Sequence, residues 1–347
     1  MSDPTTNRQD MPMAESPKTS AARKLGLGAA MVALPVAAFQ VFNMLEAAAE
    51  PKDSVPGKGT NLETALQQVD PSLIKYKELA RIETGFQSPR AIAVDANGNL
   101  LVAAHGIVRR FDKVGAILGD TPINGTPYCI AAGENGSLLV GMKDHVEVYS
   151  ADGKQIASWA SYGSNSYLTC ITVAGDDVWV ADAGRRVVMR LNRDGKLLGE
   201  IGKPDPSRGV SGLVLPSPHL DVAVAPDGLV WVNNPGLHRL EAYTQEGQLE
   251  RYWGVPGTAV QAFPGCCNPA DFAILKDGSF ITAEKVNPRI KHYSADGTFD
   301  GVVAPPITFG QNMTGLDVAV DGDGRVLAMP RGTREVRIYA LENGGAR

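Results

Sequence analysis

The 347-residue sequence has few of the features that would identify its chemistry directly. Four cysteines are too few to build a disulfide scaffold. The net charge of −5 and the lack of a long basic run argue against a nucleic-acid partner. A nucleophile elbow, a P-loop and a dinucleotide fingerprint are also missing from any strand–helix context. The sequence therefore argues against several common enzyme classes and does not by itself name an activity.

Glycine and proline are, by contrast, abundant, with 38 and 23 residues. Both residue types mark turns, so their number predicts many short strands joined by tight connections. A hydrophobic content of 44% and a charged content of 20% are ordinary for a soluble globular protein with a large core.

The N-terminus differs from the remainder of the chain. Residues 1–22 are polar and are predicted to form a disordered tail. Arg23 and Lys24 then precede 21 uncharged residues, LGLGAAMVALPVAAFQVFNML, which as a helix would span about 30 Å. Residues 23–46 are therefore interpreted as a transmembrane anchor or a signal segment.

Two interpretations of this segment remain open. As a single-pass anchor, with basic residues before it, it would leave the C-terminal body on the extracytoplasmic side of the cell membrane. The run Ala47–Ala49 instead fits a signal-peptide cleavage site, which would release a secreted or periplasmic protein. Both interpretations predict export, with any membrane contact made by the N-terminal helix. Residues 47–72, rich in proline, glycine and lysine, are predicted to be a tether.

After the tether the sequence repeats one pattern six times. Each copy has an apolar run, a turn that is mostly Asx-Gly and a second apolar run, as in PRAIAVDANGNLLVAAHG from Pro89 and HLDVAVAPDGLVWVNNPG from His219. Most copies continue with a third strand, another turn and a fourth strand. Asx-Gly between two β-type runs is a strong hairpin signal, and a spacing of roughly 40 to 50 residues is typical of propeller blades. We therefore predict six blades of four strands.

The two ends of the repeat region complement each other. The sixth copy stops after its third strand, EVRIYAL, while an unpaired strand, IKYKELARIETG, precedes the first copy. The N-terminal strand is predicted to complete the last blade and close the ring, because closure removes exposed strand edges.

This pattern resembles the NHL-repeat six-bladed β-propellers and, more broadly, gluconolactonase-type and peptidylglycine-lyase-type propellers. The resemblance covers residues 73–347. It implies an all-β, six-bladed β-propeller of the NHL or TolB-like type, preceded by one N-terminal hydrophobic helix. It is specific for architecture but weak for function, because such rings include binding proteins, lyases and lactonases.

The first strand of a propeller blade is innermost, so the residues that begin these strands should surround the channel mouth on one face. Aligning the copies on their first turn puts six residues in one column: Ala91, Cys129, Cys170, Asp221, Asp271 and Asp317. The loops that enter the blades add His219 and the adjacent cysteines. The predicted ligand-binding residues are therefore Cys266, Cys267, Asp271, Asp221, Asp317, Cys129, Cys170 and His219. Each aspartate also has an alternative, structural role, in which it accepts backbone N–H groups of a neighbouring blade.

The resemblance to lactonase-like propellers further implies one divalent cation, calcium-like, at the channel mouth. By column, its ligands would be Asp182, Asn234, Asp271 and Glu284, whose oxygens suit calcium or magnesium. A metal-assisted lyase or lactonase would then use His219 or His105 as its acid–base group.

The adjacent cysteines allow three interpretations. They pack the loop over the channel, or serve in redox chemistry or ligand contact, or join Cys129 and Cys170 in binding a soft metal. Oxidation is permitted outside the cytoplasm. The sequence as a whole favours a binding or assembly module that takes a protein or small-molecule ligand at this propeller face. A metal-dependent lyase or lactonase-like hydrolase and a cysteine-based redox accessory protein are the alternatives.

Overall fold

The computed structural model describes residues 69–285, 287–310 and 315–342. The predicted tail, the hydrophobic segment at residues 23–46 and most of the tether lie outside this part of the chain. No helix among the described residues is both long and apolar enough to cross a membrane.

The described residues form six four-stranded antiparallel sheets, which are the blades of a β-propeller. The six-bladed, all-β architecture predicted from the repeats is therefore confirmed. Blade 1 contains β2 (Ala91–Val94), β3 (Leu100–Ala104), β4 (Ile107–Phe111) and β5 (Ile117–Pro122). Blade 2 contains β6 (Cys129–Ala132), β7 (Leu138–Gly141), β8 (Val146–Tyr149) and β9 (Gln155–Ser158). Blade 3 contains β10 (Leu168–Ala174), β11 (Asp177–Asp182), β12 (Val187–Asn192) and β13 (Leu197–Ile201).

The remaining blades follow the same order from the inner to the outer strand. Blade 4 contains β14 (Val222–Val224), β15 (Val230–Asn234), β16 (Arg239–Tyr243) and β17 (Leu249–Trp253). Blade 5 contains β18 (Asp271–Ile274), β19 (Phe280–Ala283), β20 (Ile290–Tyr293) and β21 (Phe299–Ala304). Blade 6 contains β22 (Leu316–Val320), β23 (Val326–Pro330), β24 (Glu335–Leu341) and β1 (Tyr76–Glu83). Short 3₁₀ turns are seen at Pro71–Leu73, Glu134–Gly136, Pro206–Arg208, Pro235–Leu237 and Pro306–Thr308.

The predicted Asx-Gly turns join the first two strands of the blades. In blade 1, the Asp95 carboxylate accepts the backbone N–H groups of Asn97 and Asn99, each at 2.9 Å. Gly98 closes the turn with a φ of 80°, a left-handed conformation that favours glycine. The local sequence alone is sufficient to reverse the chain here, because every contact lies within five residues.

Blade 6 is built from both ends of the propeller sequence. Its strand order is β22, β23, β24 and β1. Strand β1 pairs antiparallel with β24, with Tyr76 opposite Leu341 and Glu83 opposite Glu335. The outer edge of β24 is thereby hydrogen-bonded.

The hydrophobic core lies between adjacent blades. Buried side chains of the described residues form separate clusters, each shared by two neighbouring sheets. Between blades 4 and 5, for example, the rings of Trp231 and Phe280 meet edge to face at 4.8 Å. Because the sheets pack face to face around a ring, their inner strands are left to line a central channel.

Candidate functional site

Two cavities with shared walls lie at the centre of the ring. The first, which we call the mouth cleft, has a volume of about 380 Å³ and is bounded by the segments that enter blades 1 to 5 and leave β23. The second, the channel cavity, has a volume of about 360 Å³ and is lined by the inner strands of all six blades. Asp221, Asp271 and Arg331 belong to both cavities.

The predicted column is brought together around this channel. All six of its members line the channel cavity: Ala91, Cys129, Cys170, Asp221, Asp271 and Asp317. His219 lines the mouth cleft. The topology therefore gathers five predicted polar residues and one histidine at one end of the ring.

Each aspartate of the column also has the structural role that its position suggested. The carboxylate of Asp221 accepts the backbone N–H of Phe272 at 2.9 Å. Asp317 accepts the N–H of Ile92 at 2.9 Å, and Asp271 faces the N–H of Val318 at 3.4 Å. Each carboxylate thus links the inner strand of its own blade to the inner strand of the next.

The three carboxyl groups interact strongly with one another. Burial, followed by the charges of Asp221 and Asp317, raises the pKa of Asp271 well above its ordinary value. Burial likewise raises the pKa of Asp221, and that of Asp317 to about 6. Hydrogen bonds from Asp271 oppose both of these increases. Burial in this cluster therefore favours the protonated form of its carboxyl groups, most of all that of Asp271.

Arg331 supplies the positive charge of this region. It follows β23, and its guanidinium lowers the pKa values of Asp271 and Asp317. Its Nε atom is buried and has no hydrogen-bond partner among the described residues. A buried N–H of this kind gains free energy when a ligand supplies an acceptor.

His219 stands beside Arg331 as a neutral imidazole. Burial, then the charges of Lys285 and Arg331, lowers its pKa to about 4. A Cβ placed on Gly315 would lie 3.6 Å from Cδ of Arg331 and 4.0 Å from Cε1 of His219. Glycine at this position therefore leaves the space between the two side chains open.

Three side chains of the mouth cleft were not singled out from the sequence. The rings of Tyr128 and Tyr167 meet edge to face at 5.0 Å, and the Arg90 guanidinium lies 5.2 Å from the centre of the Tyr128 ring. Arg90 and Tyr128 each precede a column residue by one position. Successive side chains of a strand point in opposite directions. The residues one position before the column were therefore the signal in the sequence that could have indicated Arg90 and Tyr128.

Cys129 and Cys170 are protonated thiols on the channel wall. Burial and the nearby aspartates raise both pKa values. Cys170 also donates a weak hydrogen bond to the carbonyl of Val222 at 3.5 Å.

Cys266 is exposed and Cys267 is buried, and neither lines the mouth cleft or the channel cavity. All four cysteines are free thiols.

The residues proposed as ligands for a cation do not converge with Asp271. The Asp182 carboxylate accepts the backbone N–H groups of Tyr167 at 2.9 Å and Arg185 at 3.1 Å. The Asn234 amide oxygen accepts the N–H of Val214 at 2.9 Å. His105, the second proposed acid–base group, contacts the hydroxyl of Thr126 at 2.7 Å and does not line the mouth cleft.

Glu284 is also engaged by protein partners. Its two oxygens meet Nε of Arg289 at 2.9 Å and Nζ of Lys291 at 2.6 Å. Within the described residues, no three His, Cys, Asp or Glu side chains are grouped as they would be to hold a metal ion. The Asn234 and Glu284 oxygens of the donor set inferred by resemblance are thus engaged by protein groups and are not directed at a shared cation.

Comparisons with known proteins agree on the architecture. Virginiamycin B lyase from Staphylococcus aureus superposes with a TM-score of 0.56 at 13% identity, over 77% of this chain and 100% of that one. A streptogramin B lyase superposes with a TM-score of 0.54 at 15% identity, over 79% and 100% of the two chains. This chain shares the propeller fold of those lyases. At these identities the likeness concerns the fold alone, and no family model and no curated protein matches the propeller sequence.

Proposed function

We propose that this chain is an exported or membrane-anchored binding module whose mouth cleft takes a small organic ligand with an anionic group. The observation that carries the proposal is the buried Arg331 Nε without a partner among the described residues, in a cleft of about 380 Å³. Small-molecule sites commonly have volumes of about 300–1,000 Å³.

The walls of the mouth cleft offer complementary chemistry. Arg90 and Arg331 carry planar guanidinium groups, which recognise carboxylates through paired hydrogen bonds. Tyr128 and Tyr167 supply two aromatic rings, set at 75° to each other, against which a ring or a chain of the ligand can pack. The neutral imidazole of His219 can donate or accept one further hydrogen bond.

The aspartates set the conditions for binding. Ionised Asp317 attracts Arg331 and repels an anion, whereas protonated Asp317 does neither. Because the pKa of Asp317 is raised to about 6, lowering the pH from 8 to 6 should strengthen the binding of a carboxylate that itself stays ionised. We expect the apparent Kd to fall several-fold over this range.

Benzoate, the simplest aromatic carboxylate, is a direct probe of this proposal. Titration of the full chain, followed by calorimetry or by NMR, should give saturable binding that is lost in Arg331→Gln and weakened in Tyr128→Leu. Arg251→Gln is the matched control, because Arg251 pairs with Asp227 at 2.7 Å and lies outside the mouth cleft. Absence of saturation, or equal binding by wild type and Arg331→Gln, would overturn the proposal.

Export rests on the hydrophobic segment at residues 23–46 and is tested separately. Fractionation of cells that express the full chain should place the protein in the membrane or in the secreted or periplasmic fraction. N-terminal sequencing then distinguishes an intact anchor from cleavage after Ala49. Recovery from the cytoplasm alone would contradict both forms of the proposal.

A further inference from the structure

The loop before blade 5 contains a pair of thiols that the proposed binding site does not use. Sγ of Cys266 and Sγ of Cys267 are 3.1 Å apart. We propose that this pair is a reversible redox site, which closes to a vicinal disulfide by exchange with a low-molecular-weight disulfide. The proposal is independent of ligand binding in the mouth cleft.

The two thiols differ in access in the way that an attacking and a resolving thiol must. Cys266 is exposed, whereas Cys267 is 4% exposed. A dissolved disulfide can therefore reach Cys266 and is excluded from Cys267. An S–S bond is about 2.05 Å long, so closure requires the sulfurs to approach by about 1 Å. Because consecutive Cα atoms are only about 3.8 Å apart, closer than in most disulfides, the backbone between the two cysteines must adjust together with the side chains.

The exchange has two balanced steps. The Cys266 thiolate attacks a disulfide RSSR, forming a Cys266–SR mixed disulfide and releasing one RS⁻. The Cys267 thiolate then attacks Sγ of Cys266, forming the Cys266–Cys267 bond and releasing the second RS⁻. Two electrons pass from the protein to the small disulfide, and the two protons lost by the cysteines appear on two RSH.

The surroundings hold the pair in place. The side chain of Asn268, which is buried, donates to the carbonyl of Pro264 at 2.8 Å and accepts the backbone N–H of Lys285 at 2.9 Å. Gly265 has a φ of 74°, so the chain turns immediately before the first thiol through a conformation that favours glycine. The segments on both sides of the pair are therefore anchored to the body of blade 5.

Lys285 supplies a positive charge close to the exposed thiol. Its Nζ atom donates to the hydroxyl of Ser217 at 3.1 Å, and its charge acts to lower the pKa of Cys266. The hydrogen bond with Cys267 acts in the opposite sense and raises that pKa overall. The thiolate is the form that attacks a disulfide, so the raised pKa of Cys266 slows the reaction at neutral pH. Exchange should accelerate as the pH rises.

Glutathione disulfide tests the proposal on the reduced full chain. We expect the protein to lose two of its four thiols, and its intact mass to fall by two hydrogens with no glutathione attached. Peptide mapping should locate the loss in the segment that contains Cys266 and Cys267. Retention of all four thiols, or a stable glutathione adduct on wild-type Cys266, would overturn the proposal.

Variants distinguish the attacking thiol from the resolving thiol. Cys267→Ser should trap glutathione on Cys266, whereas Cys266→Ser should acquire no adduct. Cys129→Ala is the matched control. It should still lose two thiols, because Cys129 faces the channel and takes no part in the exchange. Phenylarsine oxide, which requires two neighbouring thiols, should block alkylation of the reduced pair in the wild type and in Cys129→Ala. If Cys267→Ser fails to fold, the arsenical and mass measurements on wild type still decide the question; failure of phenylarsine oxide to protect the pair would count against it.

Discussion

At the scale of single residues, the channel combines a structural need with an electrostatic cost. Asp221, Asp271 and Asp317 each satisfy or approach an amide of the next blade. Placing three carboxyl groups together in a buried channel nevertheless raises all three pKa values. Protonation of Asp271, whose pKa is raised well above its ordinary value, reduces this repulsion, so the site depends on pH.

The sign of that dependence follows from the raised pKa values. The folded state holds more protons than the unfolded state between pH 4 and the raised values, so the free energy of unfolding should fall as the pH rises through this range. For Asp317 the fall is centred between its ordinary pKa and about 6, and for Asp271 it continues to higher pH.

Asp271→Asn should remove part of this pH dependence. The amide keeps an acceptor for Val318 and can donate to its neighbours without ever ionising. We expect little change at pH 6 and a stability gain on the order of 1 kcal/mol at pH 9. Thermal melts from pH 5 to 9 measure the effect, with Asp277→Asn, at the turn between β18 and β19, as the control. Parallel curves for Asp271→Asn and wild type would contradict the interpretation.

At the scale of elements, polar groups hold the hairpins between the second and third strands. In blade 5, Glu284 meets Arg289 and Lys291. In blade 4 the same position is Asn234, which donates to Glu241 at 3.0 Å. The residues at the ends of the second strands thus carry the oxygens of a metal ligand but use them within the protein, Glu284 with side chains of its own hairpin and Asn234 with the backbone N–H of Val214.

Glu284→Gln should destabilise the propeller strongly. Lys291 is fully buried, with its pKa lowered to about 8 by burial, and would lose its counter-charge. Breaking a buried pair costs about 3–5 kcal/mol, whereas Asp120→Asn, in a partly exposed pair with Arg109, should cost at most about 1 kcal/mol.

Denaturant unfolding compares these variants. The double variant Glu284→Gln/Lys291→Met should recover part of the loss, because it removes the unpaired charge. If Glu284→Gln lowers the free energy of unfolding no more than Asp120→Asn does, the ion pairs of Glu284 contribute little to stability.

At the scale of the whole molecule, the sixth blade depends on both ends of the propeller sequence. Strand β1 pairs with β24, and the paired residues are more than 200 positions apart in the sequence. Directly after β1, the backbone N–H of Thr84 donates to the carbonyl of Arg334 at 2.8 Å. Without β1, the edge of β24 would be free to pair with another chain.

A chain that begins after Glu83 should therefore lose stability and associate. The matched control begins at residue 69 and keeps β1. Light scattering after size exclusion should show a folded monomer for the control and oligomers or aggregates for the shorter chain. Equal melting temperatures and a monomeric shorter chain would contradict this role of β1.

Features that depend on short-range interactions could be predicted from the sequence, whereas features that depend on contacts between blades could not. The turn at Asp95–Gly98 and the inward column from Ala91 to Asp317 were predictable, because Asx-Gly turns and strand alternation operate over a few residues. Arg90, Tyr128 and Tyr167 were missed, because the position before the column shows where Arg90 and Tyr128 lie in their strands but not that the three side chains meet across blades 1 to 3.

The sequence by itself determined the number of blades, the strands within each blade and the ring of residues at the channel. These follow from repeats and turns whose contacts are local. Only the tertiary structure decided the charge states and the partners: that burial raises the pKa of Asp271, that Glu284 pairs with Lys291 of its own hairpin, and that the adjacent cysteines do not line the mouth cleft. The physical reason is that charge states and partners depend on burial between blades, and residues of neighbouring blades are roughly 40 to 50 positions apart in the chain.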